Sequence, residues 1–251
     1  MDLENGKKRI NLIDAIRGLA VVDMVLFHFV YDIFVIFLEQ PRWPYTFPVP
    51  LWQRTICITF IFISGFSFCL AKSHMKQAVK LIGTGVLITL FTYFFMPSLV
   101  IYYGIIFFLG VAALITAGLH KILKGRFAVW GLLISLVLFV VFYSVSSGTL
   151  NLFFTQFQLP ESLYSTSWLV FLGFPNEGFY SSDYFGVLPW IFMYFAGYFA
   201  YNILKDKISK ISIFYLRIPF LEFFGRHSYI IYLVHQPTCF IVAGLAMGKL
   251  F

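Results

Sequence analysis

Seven stretches of this chain are apolar over a length that crosses a bilayer, and no other property restricts its fold as much. They run over residues 14–38, 51–71, 77–95, 99–119, 127–146, 185–204 and 224–249. A helix of about 20 apolar residues spans the hydrocarbon layer, where each backbone polar group must find a partner within the segment. The predicted fold class is an all-α integral membrane protein, a single bundle of about seven transmembrane helices. Composition agrees, since 60% of residues are hydrophobic, 21% aromatic and only 12% charged, too few polar groups to cover a water-facing surface. The 33 Phe and 15 Tyr suit lipid-facing and interfacial positions.

The basic residues set the expected orientation. Lys7, Lys8 and Arg9 precede the first span, and Lys72, Lys76 and Lys80 lie between the second and third. Lys121, Lys124 and Arg126 follow the fourth, and Lys205, Lys207, Lys210 and Arg217 follow the sixth. The other side carries little beyond Arg42, Arg54 and Lys249. The positive-inside rule then predicts a cytoplasmic N-terminus and an extracytoplasmic C-terminus. The net charge of +7 is a topology signal whose partner is the anionic leaflet of the lipid bilayer, with no nucleic acid needed to explain it.

The first apolar run is too long, too charged and too poor in small residues at its end to be a cleavable signal peptide. Pro97 predicts a tight turn, with the fourth span starting right after it. Residues 147–184 are the one long segment outside the spans, on the extracytoplasmic side. They are rich in Phe, Leu and Trp and are expected to fold back onto the bundle. No internal repeat or low-complexity tract divides the chain, so residues 1–251 read as one transmembrane domain, multi-pass in the cell membrane. A homo-oligomer is left open. Cys57, Cys69 and Cys239 fall in apolar runs without disulfide or metal spacing and are expected as inert buried thiols. No Cys, His and carboxylate set suggests a metal.

The first span is unusual for its charges. Within "IDAIRGLAVVDMVLFHFVYD" (13–32) stand Asp14, Arg17, Asp23, His28 and Asp32. At about 100° per residue, with Arg17 at zero, His28 falls at about 20° and Asp14 and Asp32 at about 60°, whereas Asp23 falls at about 240°. Four of the five therefore share one stripe, which must face the protein interior or a wet cavity. At ~1.5 Å per residue, His28 lies roughly 16 Å beyond Arg17, towards the outside. Each member also has a plain structural reading. Arg17 could snorkel with Asp14 as its i−3 partner, His28 could be an interhelical hydrogen-bonder, and Asp32 could simply be solvated. Asp23 has no partner evident in the sequence.

As chemistry, a neutral imidazole at His28 can take a proton from a hydroxyl or amine, with Asp32 four residues on as the candidate that orients it. Arg17, partnered by Asp14, suits a phosphate or pyrophosphate, which a planar guanidinium grips with two hydrogen bonds. Arg226 and His227, at the cytoplasmic start of the seventh span, fit either phosphate binding or topology. Arg54 could pair with Asp32, hold an acceptor or anchor at headgroups. Asp183 and Trp190 could bind a polar acceptor or serve as a helix cap and an interfacial aromatic. His235, deep in the seventh span before Gln236 and Pro237, could contact substrate or make a structural hydrogen bond. His74 and His120 are expected in cytoplasmic loops, solvated.

The string "RINLIDAIRGLAVVDMVLFHFVYD" (9–32) resembles the start of the membrane acyltransferases related to heparan-α-glucosaminide N-acetyltransferase. The resemblance continues, in order, through "FIFISGFSF" (60–68), "VIYYGIIFFLG" (100–110), "DYFGVLPW" (183–190) and "GRHSYIIYLVHQP" (225–237). Arg17 and His28 also match the Arg-x10-His signature of the wider acyltransferase-3 group, and "SYIIYLVHQP" is similar to its closing helix. One position departs from the pattern. Phe107 in "YYGIIFF" stands where relatives place a histidine, which puts that histidine's role in doubt here.

The resemblance implies transfer of an acyl group, most often acetyl from acetyl-CoA, from the cytoplasm to a hydroxyl or amine of an extracytoplasmic polar acceptor such as a sugar or cell-surface glycan. Two other classes remain at this point. A small proton-coupled transporter or exporter could use the Asp/Arg/His stripe as a relay, and a non-catalytic membrane subunit could carry it without chemistry. The transporter predicts inverted repeats and broken helices in the two halves, and the sequence has neither.

Overall fold

The computed structural model of the chain describes residues 3–4, 7–123, 127–152 and 155–249, so Lys124 and Arg126 lie outside the described residues. Its helices are α1 (Asn11–Tyr31), α2 (Val49–Phe68), α3 (His74–Phe95), α4 (Ile105–Leu123), α5 (Ala128–Phe142), α6 (Ser167–Val170), α7 (Val187–Leu204), α8 (Pro219–Arg226) and α9 (Ser228–Ala246). Two antiparallel hairpins are the strands among the described residues: β1 (Leu3–Glu4) with β2 (Lys7–Lys8), and β3 (Thr149–Leu152) with β4 (Thr155–Gln158). Seven helical segments among the described residues are long and apolar enough to cross a membrane. They correspond one for one to the predicted spans. The protein is an all-α membrane protein.

The chain forms two compact units, one made of Met1–Ile63 with Lys205–Phe251 and the other of Ser64–Leu204. In the first unit, α8 lies on α1 at two glycines. A Cβ on Gly18 would come within 1.8 Å of the Leu221 carbonyl oxygen, so only glycine permits that approach. Val21, Met24 and Phe27 of α1 bury their side chains with Val49 and Ile56 of α2, with Trp52, Phe60, Ile231 and Tyr232 packed around them. Past Tyr31 the first span widens into a π-helix over Asp32–Phe37. The Leu38 N–H bonds to the Ile33 carbonyl at 2.9 Å, and the Lys249 ammonium donates to the Phe37 carbonyl.

The seventh span differs from the sequence reading. The apolar run 224–249 is not one helix: α8 ends at Arg226, His227 leaves the helical region (φ −99°, ψ 9°), and α9 starts at Ser228. Arg226 therefore belongs to the short helix against α1 rather than to the spanning helix.

In the second unit, α3 packs on α4 and α5 on α7, again through glycines. Cβ atoms at Gly85 and Gly131 would come within 2.5 Å and 2.6 Å of Phe107 and Phe199. The outward faces of α3 and α5 keep Leu87, Phe91, Phe94, Phe95 and Trp130 exposed, as lipid-facing side chains would be. The fourth span starts at Ile105, not directly after Pro97, because residues 100–104 are tied elsewhere. The Tyr102 N–H bonds Ser181 Oγ at 2.9 Å, the Ser182 N–H bonds the Val100 carbonyl at 3.0 Å, and Asp183 Oδ2 caps α4 by accepting the Ile105 N–H at 3.1 Å.

Much of the segment 147–184 is held to the same unit. Phe171 packs on Tyr103 and Phe107, Phe179 packs on Tyr102, and the Tyr184 hydroxyl donates to the Val170 carbonyl at 2.5 Å. Burial, and then Tyr103 and Tyr164, push the Tyr184 phenol up, so it stays a neutral donor. Trp168 is 90% exposed.

The two histidines expected to be solvated in loops instead lie on helices and are half-buried. His74 begins α3 and stacks on Phe68, ring centroids 4.1 Å apart. His120, in the last turn of α4, shares a hydrogen bond of 2.9 Å with the fully buried Tyr198 hydroxyl. The helices run on past the points where charge appears in the sequence and carry both rings into packed positions.

Candidate active site

Helical periodicity places the polar groups of α1 where the sequence predicts. Asp14 is 5% exposed and Asp32 wholly buried, while the stripe they share with Arg17 and His28 turns towards α8 and α9. Asp23, on the other face, has the partner that sequence did not supply: the Trp52 indole N–H donates to its carboxylate at 2.9 Å.

At the N-terminal end of the stripe, arginines surround two buried carboxylates. Asp14 Oδ2 accepts from Arg9 at 2.5 Å and Oδ1 from Arg17 at 3.1 Å, and Arg226 stands 3.8 Å from Oδ2. Arg226 also binds Glu222 at 2.9 Å, and Arg217 approaches the same carboxylate at 3.7 Å. Glu222, 2% exposed, accepts the Ile218 N–H at 2.9 Å, which fixes it at the start of α8. Four guanidinium groups thus meet two carboxylates. Each carboxylate offsets part of the desolvation cost, and the surplus of positive charge suits a phosphate-bearing ligand.

Eleven residues along α1, roughly 16 Å by the helical rise, the second cluster begins. His28 meets His235 of α9 edge to face, centroids 4.7 Å apart. His235 Nδ1 lies 2.6 Å from the Tyr232 carbonyl, and its Nε2 is buried without a hydrogen-bond partner. Asp32 Oδ1 accepts from the Gln236 amide at 3.0 Å, while Asp32 Oδ2 and Gln236 Oε1 are buried and unpartnered. Gln236 also acts on the His28 side chain. The expected direct pairing of Asp32 with His28 or with Arg54 is therefore replaced by a bond to Gln236. Unpartnered buried polar atoms are costly, and three of them beside one imidazole mark a place built for something other than packing.

The remaining sequence candidates are placed differently. Arg54 is exposed on α2. Asp183 caps α4, and Trp190 packs between Phe139 and Phe185. Both have structural work inside the second unit. Phe107, the position of the departure, fills the space left by Gly85 and packs on Phe171. His227 is exposed, its ring 2.8 Å from the Phe223 carbonyl. Cys239 is buried as expected whereas Cys57 and Cys69 are half-buried, none of the three is in a disulfide, and no group of three or more metal-ligating side chains occurs among the described residues.

The polar line of α1 and its two clusters fall within a family match that covers nearly all of the chain. A family model described as "Heparan-alpha-glucosaminide N-acetyltransferase, catalytic" matches residues 9–237. The chain belongs to this family. It is a multi-pass membrane protein of a family of membrane acetyltransferases. No curated protein and no solved structure matches it. For this heparan-α-glucosaminide N-acetyltransferase relative, both ends of the match carry functional candidates, Arg9 at the start and Gln236 just before its close.

Sequence reasoning missed Glu222, Arg9, Arg217 and Gln236 as members of the site, since the two arginines read only as topology signals. The first had a local signal, an acid four residues before Arg226 on a helix face. Gln236 had none, because its role depends on α9 facing Asp32 across some 200 residues of sequence.

Proposed function

We propose that the chain transfers an acetyl group from cytoplasmic acetyl-CoA to a hydroxyl or amine of an extracytoplasmic acceptor, a sugar or glycan. Arg17 and Arg226, held by Asp14, bind the CoA phosphates. Arginine suits this task because its fork offers paired donors to phosphate oxygens. His28 is the general base. It takes the acceptor's proton as the oxygen or nitrogen attacks the thioester carbonyl. The C–S bond then breaks, and the proton returns to the departing sulfur as free CoA thiol. Asp32 supports the base through Gln236, and the N-terminus and the phosphate cluster face the cytoplasm, in line with the loop charges.

The observation that carries this reading is the line of polar side chains along the first span, Asp14 and Asp32 buried and Arg17 and His28 half-buried. A cation cluster suited to phosphate stands roughly 16 Å along the first span from the half-buried imidazole of His28, which meets buried His235. An extended CoA arm is on the order of that length, which lets one donor molecule reach both. The test is transfer of label from radiolabelled acetyl-CoA by the purified protein to amino sugars and to hydroxyl-bearing glycans. Hydrolysis-free transfer to either supports the reading, and no transfer to any acceptor, with the donor bound or unbound, counts against it.

A further inference from the structure

The most deeply buried acid of the first span has only half of its hydrogen bonding explained. Asp32 is 0% exposed, and its Oδ1 accepts from the Gln236 amide at 3.0 Å. Asp32 Oδ2 and Gln236 Oε1 are also buried, and no donor reaches either. The two bare atoms belong to the carboxyl and the amide that this one bond already joins. A carboxylate only accepts, and so does an amide oxygen, so these two atoms cannot satisfy one another while Asp32 is ionised. A charge there has no counter-ion either. The titratable side chains of this cluster are His28, four residues earlier on α1, and His235 and Cys239 on α9, none of them ion-paired with Asp32. The Lys249 ammonium goes to the Phe37 carbonyl instead. The other acids of α1 differ, since Asp14 has arginines against it and Asp23 takes the Trp52 N–H.

We propose that Asp32 is a carboxylic acid, with its proton on Oδ2, and that it holds Gln236 beside His28 without putting a charge into the site. One proton resolves both bare atoms. It neutralises a group that a membrane interior disfavours as an ion, and it makes Oδ2 a donor facing the amide whose Oε1 lacks one. Acid and primary amide are complementary in this state, each with one donor and one acceptor for the other. The role rests on the acetyl-transfer reading, in which His28 is the base. A carboxylate four residues from that imidazole would favour its protonated form and so remove the base. A neutral acid leaves His28 able to take the acceptor's proton, which then departs on the CoA sulfur, while the proton of Asp32 stays in place throughout. Asp32 is thus a positioning residue that acts only when uncharged.

Three variants read the role. Asp32→Asn presents an uncharged group whose oxygen accepts from Gln236 and whose N–H can donate back, so Tm should match wild type and turnover should stay within about 10-fold. Asp32→Leu and Gln236→Leu keep volume but cannot pair. Their turnover should drop by about 10²-fold, with acetyl-CoA affinity at the wild-type value because the phosphate cluster lies at the other end of α1. Equal loss in Asp32→Asn and Asp32→Leu overturns the proposal. So does a wild-type Tm or turnover that requires sodium or potassium at constant ionic strength, since a metal cation would then stand where the proton is assigned.

Infrared spectroscopy reads the proton without turnover. A protonated carboxyl group has a C=O stretch above the amide bands that moves down in deuterium oxide. Asp14 and Glu222, paired with arginines, should give none. At a pH where exposed carboxyl groups are ionised, the wild-type spectrum minus that of Asp32→Asn should contain this band. A difference that contains a carboxylate band instead overturns the proposal. A protein that transfers no acetyl group but shows the protonated band rejects the acetyl-transfer reading and keeps the acid. An active enzyme whose Asp32 is ionised rejects the acid alone.

Discussion

Gly225 of α8 and Asp14 of α1 meet through their backbones, so closely that a Cβ on Gly225 would stand 1.8 Å from the Asp14 carbonyl oxygen. With the matching contact at Gly18, this pins α8 to the first span and brings Arg226 to the carboxylate that also holds Arg9 and Arg17. The phosphate-binding candidate therefore depends on a helix crossing that only glycine allows.

Gly225→Ala should consequently damage both stability and donor binding. Overpacking of a tight contact costs about 1–3 kcal/mol, and moving α8 outward separates Arg226 from Asp14. We expect a lower Tm in detergent and a weaker acetyl-CoA affinity by titration. Gly118→Ala is the control, because nothing lies within 4 Å of a Cβ there. It should leave donor affinity unchanged and keep or slightly raise Tm, as alanine favours an exposed helix by roughly 0.5–1 kcal/mol.

The same residues explain how much of the molecule could be read from sequence. The spans were legible because bilayer thickness and helical rise fix a run length, and the stripe of Asp14, Arg17, His28 and Asp32 was legible because 100° per residue is a local rule. The break at His227 was not, since the apolar run continues through it and the short helix is held by contacts at Gly18 and Gly225 rather than by its own composition. Gln236 was invisible for the same reason, its amide bonding Asp32 from 204 residues away. His74 and His120 misled because polar residues near basic ones read as loop, while packing on Phe68 and Tyr198 decides their place.

Arg17→Lys tests the donor grip. Lysine keeps the charge but not the paired donors, so acetyl-CoA should bind more weakly, on the order of tenfold, at normal expression. Asp14→Asn should weaken it further by releasing Arg9, Arg17 and Arg226 from their shared carboxylate. Wild-type affinity in Arg17→Lys and Arg17→Ala alike would leave Arg17 as a snorkelling anchor.

Asp183 tests whether this carboxylate acts on structure or on the acceptor. As the cap of α4, Asp183→Ala should cost about 1 kcal/mol, typical of a lost N-cap, seen as a lower Tm with the acceptor KM unchanged. A raised KM at unchanged Tm would restore the acceptor-binding reading.

Orientation is tested by labelling. In a background without Cys57, Cys69 and Cys239, a single cysteine at exposed Ser98 should react with an impermeant maleimide added outside intact cells, and one at exposed Ser209 should not. The lysine and arginine bias between loops motivates this. Reversed labelling would put the arginine cluster on the outside and remove the cytoplasmic donor.

His28 carries the sharpest prediction, because it joins the two clusters. His28→Ala should bind acetyl-CoA as wild type does, since the guanidinium cluster lies about three helical turns away, while turnover should fall on the order of 10²-fold or more. Asp32→Asn should fall less, because it acts on the imidazole only through the Gln236 amide. A protonated imidazole cannot accept a proton, so wild-type turnover should decline as pH drops through the titration of the ring, and that acid limb should vanish from the residual activity of His28→Ala. Near wild-type turnover in purified His28→Ala would move the base to His235, whose bare Nε2 is the nearest alternative.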